Sequence, residues 1–235
     1  MSTYGVHNVR FWSVVVKYTN KKVDGVDVFY SADWINGLEN EMHFSWYYHQ
    51  AKTVYDNCVR EDTILEIGVG TGLLSSLLKK RNWNVTTLDI DADKKPDICE
   101  SALDFNYIEG NFNTVLAFEV FEHMPYITFQ KVINKLQLSK VKKVYFSLPW
   151  NERQLMDFKL HLPFFKELNF RLAIRRNKIS TIAHFWELSK VNKALDNKEL
   201  VSYKTMIAMF LMNGYQVTAL KKIGYIQYFE AKLLS

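Results

Sequence analysis

The chain has 235 residues, 48% of them hydrophobic, 15% aromatic and 23% charged, with a formal net charge of +5. That length suits one α/β domain with an appendage, and the composition excludes a disordered or fibrous chain. The two cysteines, Cys58 and Cys99, lack metal-ligand spacing and suit a reducing compartment. No apolar run approaches the ~18 residues of a membrane span, and no signal-peptide core opens the chain, so a cytoplasmic protein without a membrane partner is expected.

Residues 1–60 are expected to form an N-terminal extension. Val9–Tyr18 has β character, and Lys21–Tyr30 reads as its hairpin partner, turning around Asp24-Gly25. Ser31-Ala32-Asp33 reads as the start of a helical region. From Glu39 to Cys58, Phe44, Tyr47, Tyr48, Ala51, Val54 and Tyr55 recur at helical spacing and are expected to pack a helix on a sheet.

Thr63–Ile67 then reads as a short apolar strand, Gly68-Val69-Gly70-Thr71-Gly72 as a glycine-rich turn, and Leu73–Leu78 as the helix leaving it. Such a strand–turn–helix aims backbone N–H groups and a helix N-terminus at a ligand above the sheet, and the glycines permit close approach. The third glycine of a dinucleotide-binding turn is missing, since Leu73 occupies its place. A second strand, Trp83–Asp91, ends in acid, and Asp89 lies at the spacing from the turn that suits a grip on ribose hydroxyls. Pro96–Phe105 reads as a third strand with its loop, Asn113–Phe118 as a fourth strand leading to Glu119–Pro125, and Lys142–Pro149 as a fifth.

Glu66 with Gly68, Gly70 and Gly72 resembles motif I of the class I S-adenosylmethionine-dependent methyltransferases, with the small-molecule type 11/12-like members in view. The resemblance spans about residues 60–150 with the signposts in order. It implies S-adenosylmethionine as cofactor and S-adenosylhomocysteine as product. It also implies a cofactor pocket formed by Glu66, Gly68, Val69, Gly70, Thr71, Gly72, Asp89, Ile90, Ser101, Ala102, Phe118 and Glu119. Glu66 would serve the amino-acid end of the cofactor and Asp89 the ribose. Two positions depart from the family: Ser101 stands where an acid usually meets the adenine amine, and Asn113 replaces the usual Asp. The implied fold is a doubly wound, seven-stranded α/β Rossmann-like sheet in the order 3-2-1-4-5-7-6. It is expected as a single domain with a cofactor-binding half at 61–150, an insertion at 151–195 and a C-terminal part at 196–235.

The insertion is too long for an ordinary connection and reads as a lid or substrate element. Its His184-Phe185-Trp186-Glu187 phrase resembles a signature of some small methyltransferases. Beyond it, Ser202–Asn213 reads as a helix stopped by Gly214, and Tyr215–Leu220 and Tyr225–Leu233 as strands around Lys221–Gly224.

The methyl of a sulfonium is intrinsically activated, so orientation and desolvation dominate its transfer. His123, after the fourth strand, is the candidate general base, with a backbone-bonded corner histidine as the alternative. No metal is expected, and metal-independent in-line displacement onto O, N or activated C of a small-molecule acceptor is the favoured activity. Residues 131–193 hold 14 Lys and Arg against 4 Asp and Glu, a net of +10, while residues 1–130 carry 11 against 18, a net of −7. This basic segment would attract an anionic acceptor, and it makes RNA the alternative substrate. A non-catalytic cofactor-binding scaffold is the third reading.

Overall fold

The structure is a computed structural model that describes the backbone of residues 6–11, 14–19, 21–23 and 26–28, and residues 40–160 and 168–234. Ser31–Asp33, Trp34 and His161–Phe165 lie outside the described residues. Chain contacts divide the protein into two compact units. One runs to Ala117 and includes Ser139–Lys142; the other comprises Phe118–Leu138 and the chain from Lys143 on.

In the first unit, β1 (Val6–Phe11) pairs antiparallel with β2 (Val14–Thr19), and β3 (Lys21–Val23) with β4 (Val26–Val28). This corrects the expected hairpin. Val9–Tyr18 does not pair with Lys21–Tyr30: Phe11 pairs with Val14, and Lys21–Val23 pairs with Val26–Val28.

Helix α1 (Glu41–Asn57) is capped by Asn40, whose side chain accepts from the His43 N–H. Its buried residues are Gln50, Ala51, Thr53 and Val54, whereas Phe44, Tyr48 and Tyr55 are exposed. Gln50, Ala51, Thr53 and Val54, not the aromatic side chains, therefore make the inward stripe. Beyond it come β5 (Thr63–Ile67), α2 (Leu73–Lys80), β6 (Asn84–Asp89), β7 (Ile98–Cys99), α3 (Tyr107–Gly110) and β8 (Thr114–Phe118). Strand β5 pairs in parallel with β6 and with β8, and β6 with β7. Ile64, Leu65, Leu88, Val115 and Leu116 are buried, as parallel strands covered on both faces require.

The second unit contains α4 (Tyr126–Leu138), β9 (Lys143–Pro149), the ribbon β10 (Glu152–Leu160) and β11 (Leu168–Arg175), then β12 (Trp186–Ser189), β13 (Lys193–Leu195), β14 (Lys198–Ser202), α5 (Tyr203–Met212), β15 (Tyr215–Ile223) and β16 (Ile226–Leu233). Helix α5 is capped by Ser202 and followed by Gly214 at φ 75°, matching its expected stop. Lys221–Ile223 belong to β15, so the last turn sits later than the sequence suggested, at Gly224 with φ 58°. The core is aromatic: Phe146 stacks at 5.0 Å on both Phe210 and Phe229, and Phe129 stacks at 5.1 Å on Trp186.

The sheet order is β7-β6-β5-β8-β9-β16-β15, with β16 antiparallel to both β9 and β15. Counting only its seven strands in chain order, this is the expected 3-2-1-4-5-7-6. The insertion forms the β10-β11 ribbon, and its β12 and β13 flank β14 of the C-terminal part in the order β12-β14-β13. No helix among the described residues is long and apolar enough to cross a membrane.

Candidate functional site

The glycine turn leaves β5 and enters α2 with Gly68, Gly70 and Gly72 at φ 80°, 58° and 73°. These left-handed angles are what the turn needs and what a side chain disfavours. The Val69 N–H donates to Asp89 Oδ2 at 2.9 Å, so the acid at the end of β6 also fixes the turn. Asp89 Oδ1 accepts from the Asp91 N–H at 2.9 Å, and the Lys94 ammonium sits 3.2–3.3 Å from both carboxylate oxygens. Ile90 follows directly, at intermediate burial. Thr71 Oγ1 accepts from the Leu73 N–H at 3.4 Å. Ser101 Oγ accepts from the Leu103 N–H at 3.1 Å, and the Ala102 carbonyl takes the Tyr107 hydroxyl at 2.7 Å. Ser101 thus holds its own loop.

Glu66, on β5, is only 5% exposed. Burial pushes its carboxyl up to about 8, opposed by a hydrogen bond from Ser75 and the charge of Lys79 and reinforced by Asp89 and Asp97. Gly68–Gly72, Glu66 and Asp89 therefore lie together at the carboxyl edge of β5 and β6.

In the second unit the chain runs from Phe118 through Glu119 into a 3-10 turn, Phe121–His123, before α4. Glu119 has φ 55°, a left-handed conformation that costs a non-glycine residue about 1 kcal/mol or more. Its N–H donates to Ser147 Oγ at 3.0 Å, and that hydroxyl donates to Glu119 Oε1 at 2.8 Å. Phe118, just before it, packs 5.8 Å from the Tyr228 ring.

The insertion is tied to this corner by three bonds. The Phe185 N–H donates to the Glu122 carbonyl at 2.8 Å, Trp186 Nε1 donates to the Phe121 carbonyl at 2.9 Å, and His123 Nδ1 lies 3.1 Å from the Ala183 carbonyl. Lys198 Nζ holds the preceding loop through the carbonyls of Thr181 and Ile182. The result places His184 beside His123, with ring centroids 5.0 Å apart. Ligand atoms of Glu122, His123 and His184 all lie within 4.8 Å of one another, a spacing that a cation could bridge.

Carbonyls and carboxylates only accept, which fixes the tautomers when the imidazoles are neutral. His123 Nδ1 donates to the Ala183 carbonyl, and His184 Nδ1 donates to Glu187 Oε1 at 2.8 Å. Each Nε2 then carries the lone pair. Glu122 is fully buried, and neither Oε1 nor Oε2 has a hydrogen-bond partner among the described residues. Burial raises its carboxyl well above the usual carboxylate range, the charges of Glu119 and Glu187 raise it further, and an interaction with its own backbone N–H offsets only part of this. Burial likewise pushes Glu119 up to about 8, with Glu187 adding to the shift. A buried acid next to other acids keeps its proton, and a cation bound there would favour its ionised form.

The His-Phe-Trp-Glu phrase marks His184, but its partnership with Glu122 and His123 is made by tertiary hydrogen bonds that no local spacing encodes.

A family model described as a methyltransferase domain matches residues 17–166. Among solved structures, the chain is similar to the glycopeptide N-methyltransferase MtfA complexed with S-adenosylmethionine, with 13% identity, a TM-score of 0.52, and 80% of this chain and 93% of that one covered. It is also similar to magnesium protoporphyrin IX methyltransferase from Synechocystis PCC 6803 with bound S-adenosylhomocysteine, at 12% identity and TM-score 0.53 over 81% and 83% of the two chains. A third similar structure is the small RNA methyltransferase HEN1, at 12% identity and TM-score 0.53, where 84% of this chain spans 26% of that one. No curated protein matches the sequence. At these identities the structural likenesses speak to the fold.

Proposed function

The chain belongs to the methyltransferase-domain family, and from that premise we propose that it methylates a hydroxyl oxygen of its acceptor with the help of a divalent cation held by Glu122, His123 and His184. S-adenosylmethionine is the methyl donor and S-adenosylhomocysteine the product. The observation that carries the cation is Glu122: a fully buried carboxylate with both oxygens unpartnered among the described residues, facing two imidazoles. Sequence spacing favoured a metal-independent reaction with His123 as base. The Nδ1 bond of His123 to a backbone carbonyl leaves Nε2 with the lone pair, which suits a ligand as well as a base.

Glu66, the Gly68–Gly72 turn and Asp89 hold the donor, with Ile90, Ser101, Ala102 and Phe118 as pocket lining. Val69 and Thr71 contribute through the backbone of the turn, and the ribose hydroxyls take the place of Lys94 on Asp89. His123 and His184 present Nε2 lone pairs, and Glu122, held protonated by burial, would give up its proton as a cation binds. A bound cation would orient the acceptor hydroxyl and make its proton easier to lose. The methyl then moves in line from sulfur to oxygen as the acceptor proton leaves to solvent. Mixed imidazole and carboxylate donors suit Mn2+, Fe2+, Co2+ or Zn2+.

A small molecule remains the favoured acceptor. One observation favours RNA as the second reading: the β10-β11 ribbon exposes Phe158 and Phe170, 5.1 Å apart, and carries the exposed Arg153 and Arg175 toward its other end. Arg171 of the basic segment is already paired, bonding Glu152 at 2.6 Å, and Lys222 shares the same carboxylate oxygen at 2.6 Å.

The test is calorimetric titration with S-adenosylmethionine and S-adenosylhomocysteine, with NAD as control, followed by transfer of labelled methyl to hydroxyl-bearing metabolites and to RNA. Binding of the first two but not NAD is expected, with transfer lost in chelator and restored by Mn2+. Transfer that survives chelation overturns the cation. Failure to bind the donor overturns the enzyme reading and favours a scaffold.

A further inference from the structure

Glu187 is built into the protein more firmly than a surface acid would need. It is fully buried in the first strand of the β12-β14-β13 sheet, yet its carboxylate is richly partnered. Oε1 accepts from the Ser180 N–H at 2.8 Å, from the Ser180 hydroxyl and from His184 Nδ1 at 2.8 Å. Oε2 accepts from Asn151 Nδ2 at 2.6 Å. Asn151 is itself fixed, since its Nδ2 also donates to the Lys178 carbonyl at 2.9 Å and its backbone N–H to the Leu188 carbonyl at 2.7 Å. Of these contacts, only the one to His184 leads toward Glu122 and His123.

We propose that Glu187 is a positioning residue that locks His184 in the Nδ1–H tautomer and aims its Nε2 at a cation shared with Glu122 and His123. This rests on the cation reading above and extends it outward by one layer. A free imidazole exchanges its tautomers and turns about its bonds to the backbone. A buried carboxylate at 2.8 Å from Nδ1 removes both freedoms, because only Nδ1–H can donate to it. Asn151 and Ser180 do the same for Glu187, so the ring is braced from β12, from the residue following the β9-strand and its tryptophan, and from the loop before His184. His123 is braced differently, by the Ala183 carbonyl, one residue before His184. The His-Phe-Trp-Glu phrase thus gains a division of labour: His184 as ligand, Trp186 as the bolt to Phe121, and Glu187 as the brace.

The experiment is titration of the full chain with Mn2+, followed by electron paramagnetic resonance, for the wild type, Glu187→Gln and Ser180→Ala. S-adenosylmethionine affinity is measured on each to confirm folding. Long-range proton–nitrogen spectra of the histidine rings give the tautomer. Glu187→Gln is expected to weaken Mn2+ binding about 10- to 100-fold, to lose the single Nδ1–H pattern of His184, and to bind S-adenosylmethionine as the wild type does. Ser180→Ala, which touches no proposed ligand and loosens only Glu187, should weaken Mn2+ in the same direction by less, and it decides the matter if Glu187→Gln does not fold. Unchanged Mn2+ affinity and tautomer in the folded variants overturn the positioning role while leaving the cation reading intact. A wild type that binds no Mn2+, Co2+ or Zn2+ overturns the cation reading and the brace with it.

Discussion

Replacing Glu66 with Gln should make the cofactor-free protein more stable at neutral pH and should remove a pH dependence from both stability and cofactor binding. The wild-type carboxyl rises from 4.5 to about 8, chiefly through burial. Between those values the native state keeps a proton that the unfolded chain has shed. Stability from this group is therefore fully present below 4.5 and falls as pH rises toward 8. Each pH unit in the window costs about 1.4 kcal/mol, which amounts to about 3 kcal/mol at pH 7. Glutamine carries no charge to desolvate and escapes most of this. A donor ammonium placed against Glu66 favours the carboxylate, so binding below pH 8 releases a proton and tightens with pH by up to about tenfold per unit. Urea denaturation and calorimetry at pH 5.5, 6.5, 7.5 and 8.5 measure both effects. Wild-type and variant stabilities that run parallel over this range would refute the assignment of a neutral, buried Glu66. Parallel binding curves would refute its contact with the ammonium.

Asp89→Ala should weaken S-adenosylmethionine binding by about 1.5–3 kcal/mol through lost charge-assisted hydrogen bonds; unchanged affinity in a folded variant would sink the ribose role. Gly72→Ala places a side chain at φ 73°, but its Cβ meets only Val69 Cγ1 at 3.7 Å. Strain alone then sets the cost at about 1–2 kcal/mol, seen as a fall of about 3–6 °C in the thermal midpoint, and a collapse of folding would show that more than the backbone angle is at stake. Trp186→Phe removes the 2.9 Å bond to the Phe121 carbonyl and should lower stability by about 1–3 kcal/mol in denaturant titration; an unaltered midpoint would mean the bond does not hold the corner.

The cofactor half was legible because its signals are local. Glu66, the alternate glycines and Asp89 fall within one strand–turn–helix–strand, where spacing along the chain nearly fixes spacing in the molecule. The strand order followed from the same succession of elements and the family resemblance. What could not be read depended on register or on distant partners. Val9–Tyr18 and Lys21–Tyr30 read as hairpin partners, whereas the pairing is Val6–Phe11 with Val14–Thr19 and Lys21–Val23 with Val26–Val28. The aromatic rhythm of α1 pointed to a buried face, but the strongest burial falls on Gln50, Ala51, Thr53 and Val54. Glu122 reads as an ordinary corner residue until the insertion returns and seals it from water.

The bonds that join Phe121–His123 to Ala183–Trp186 also bear on how the chain reaches its final state. Closing so long a loop is entropically slow, whereas β5, the glycine turn and α2 need only short-range encounters. A nascent chain should therefore acquire its donor-binding turn well before its imidazole pair exists. During that interval Glu122 remains hydrated, and the crowding of acids around it is postponed until the insertion arrives. The electrostatic burden is thus imposed in the last step of assembly, where a captured cation could act as the latch.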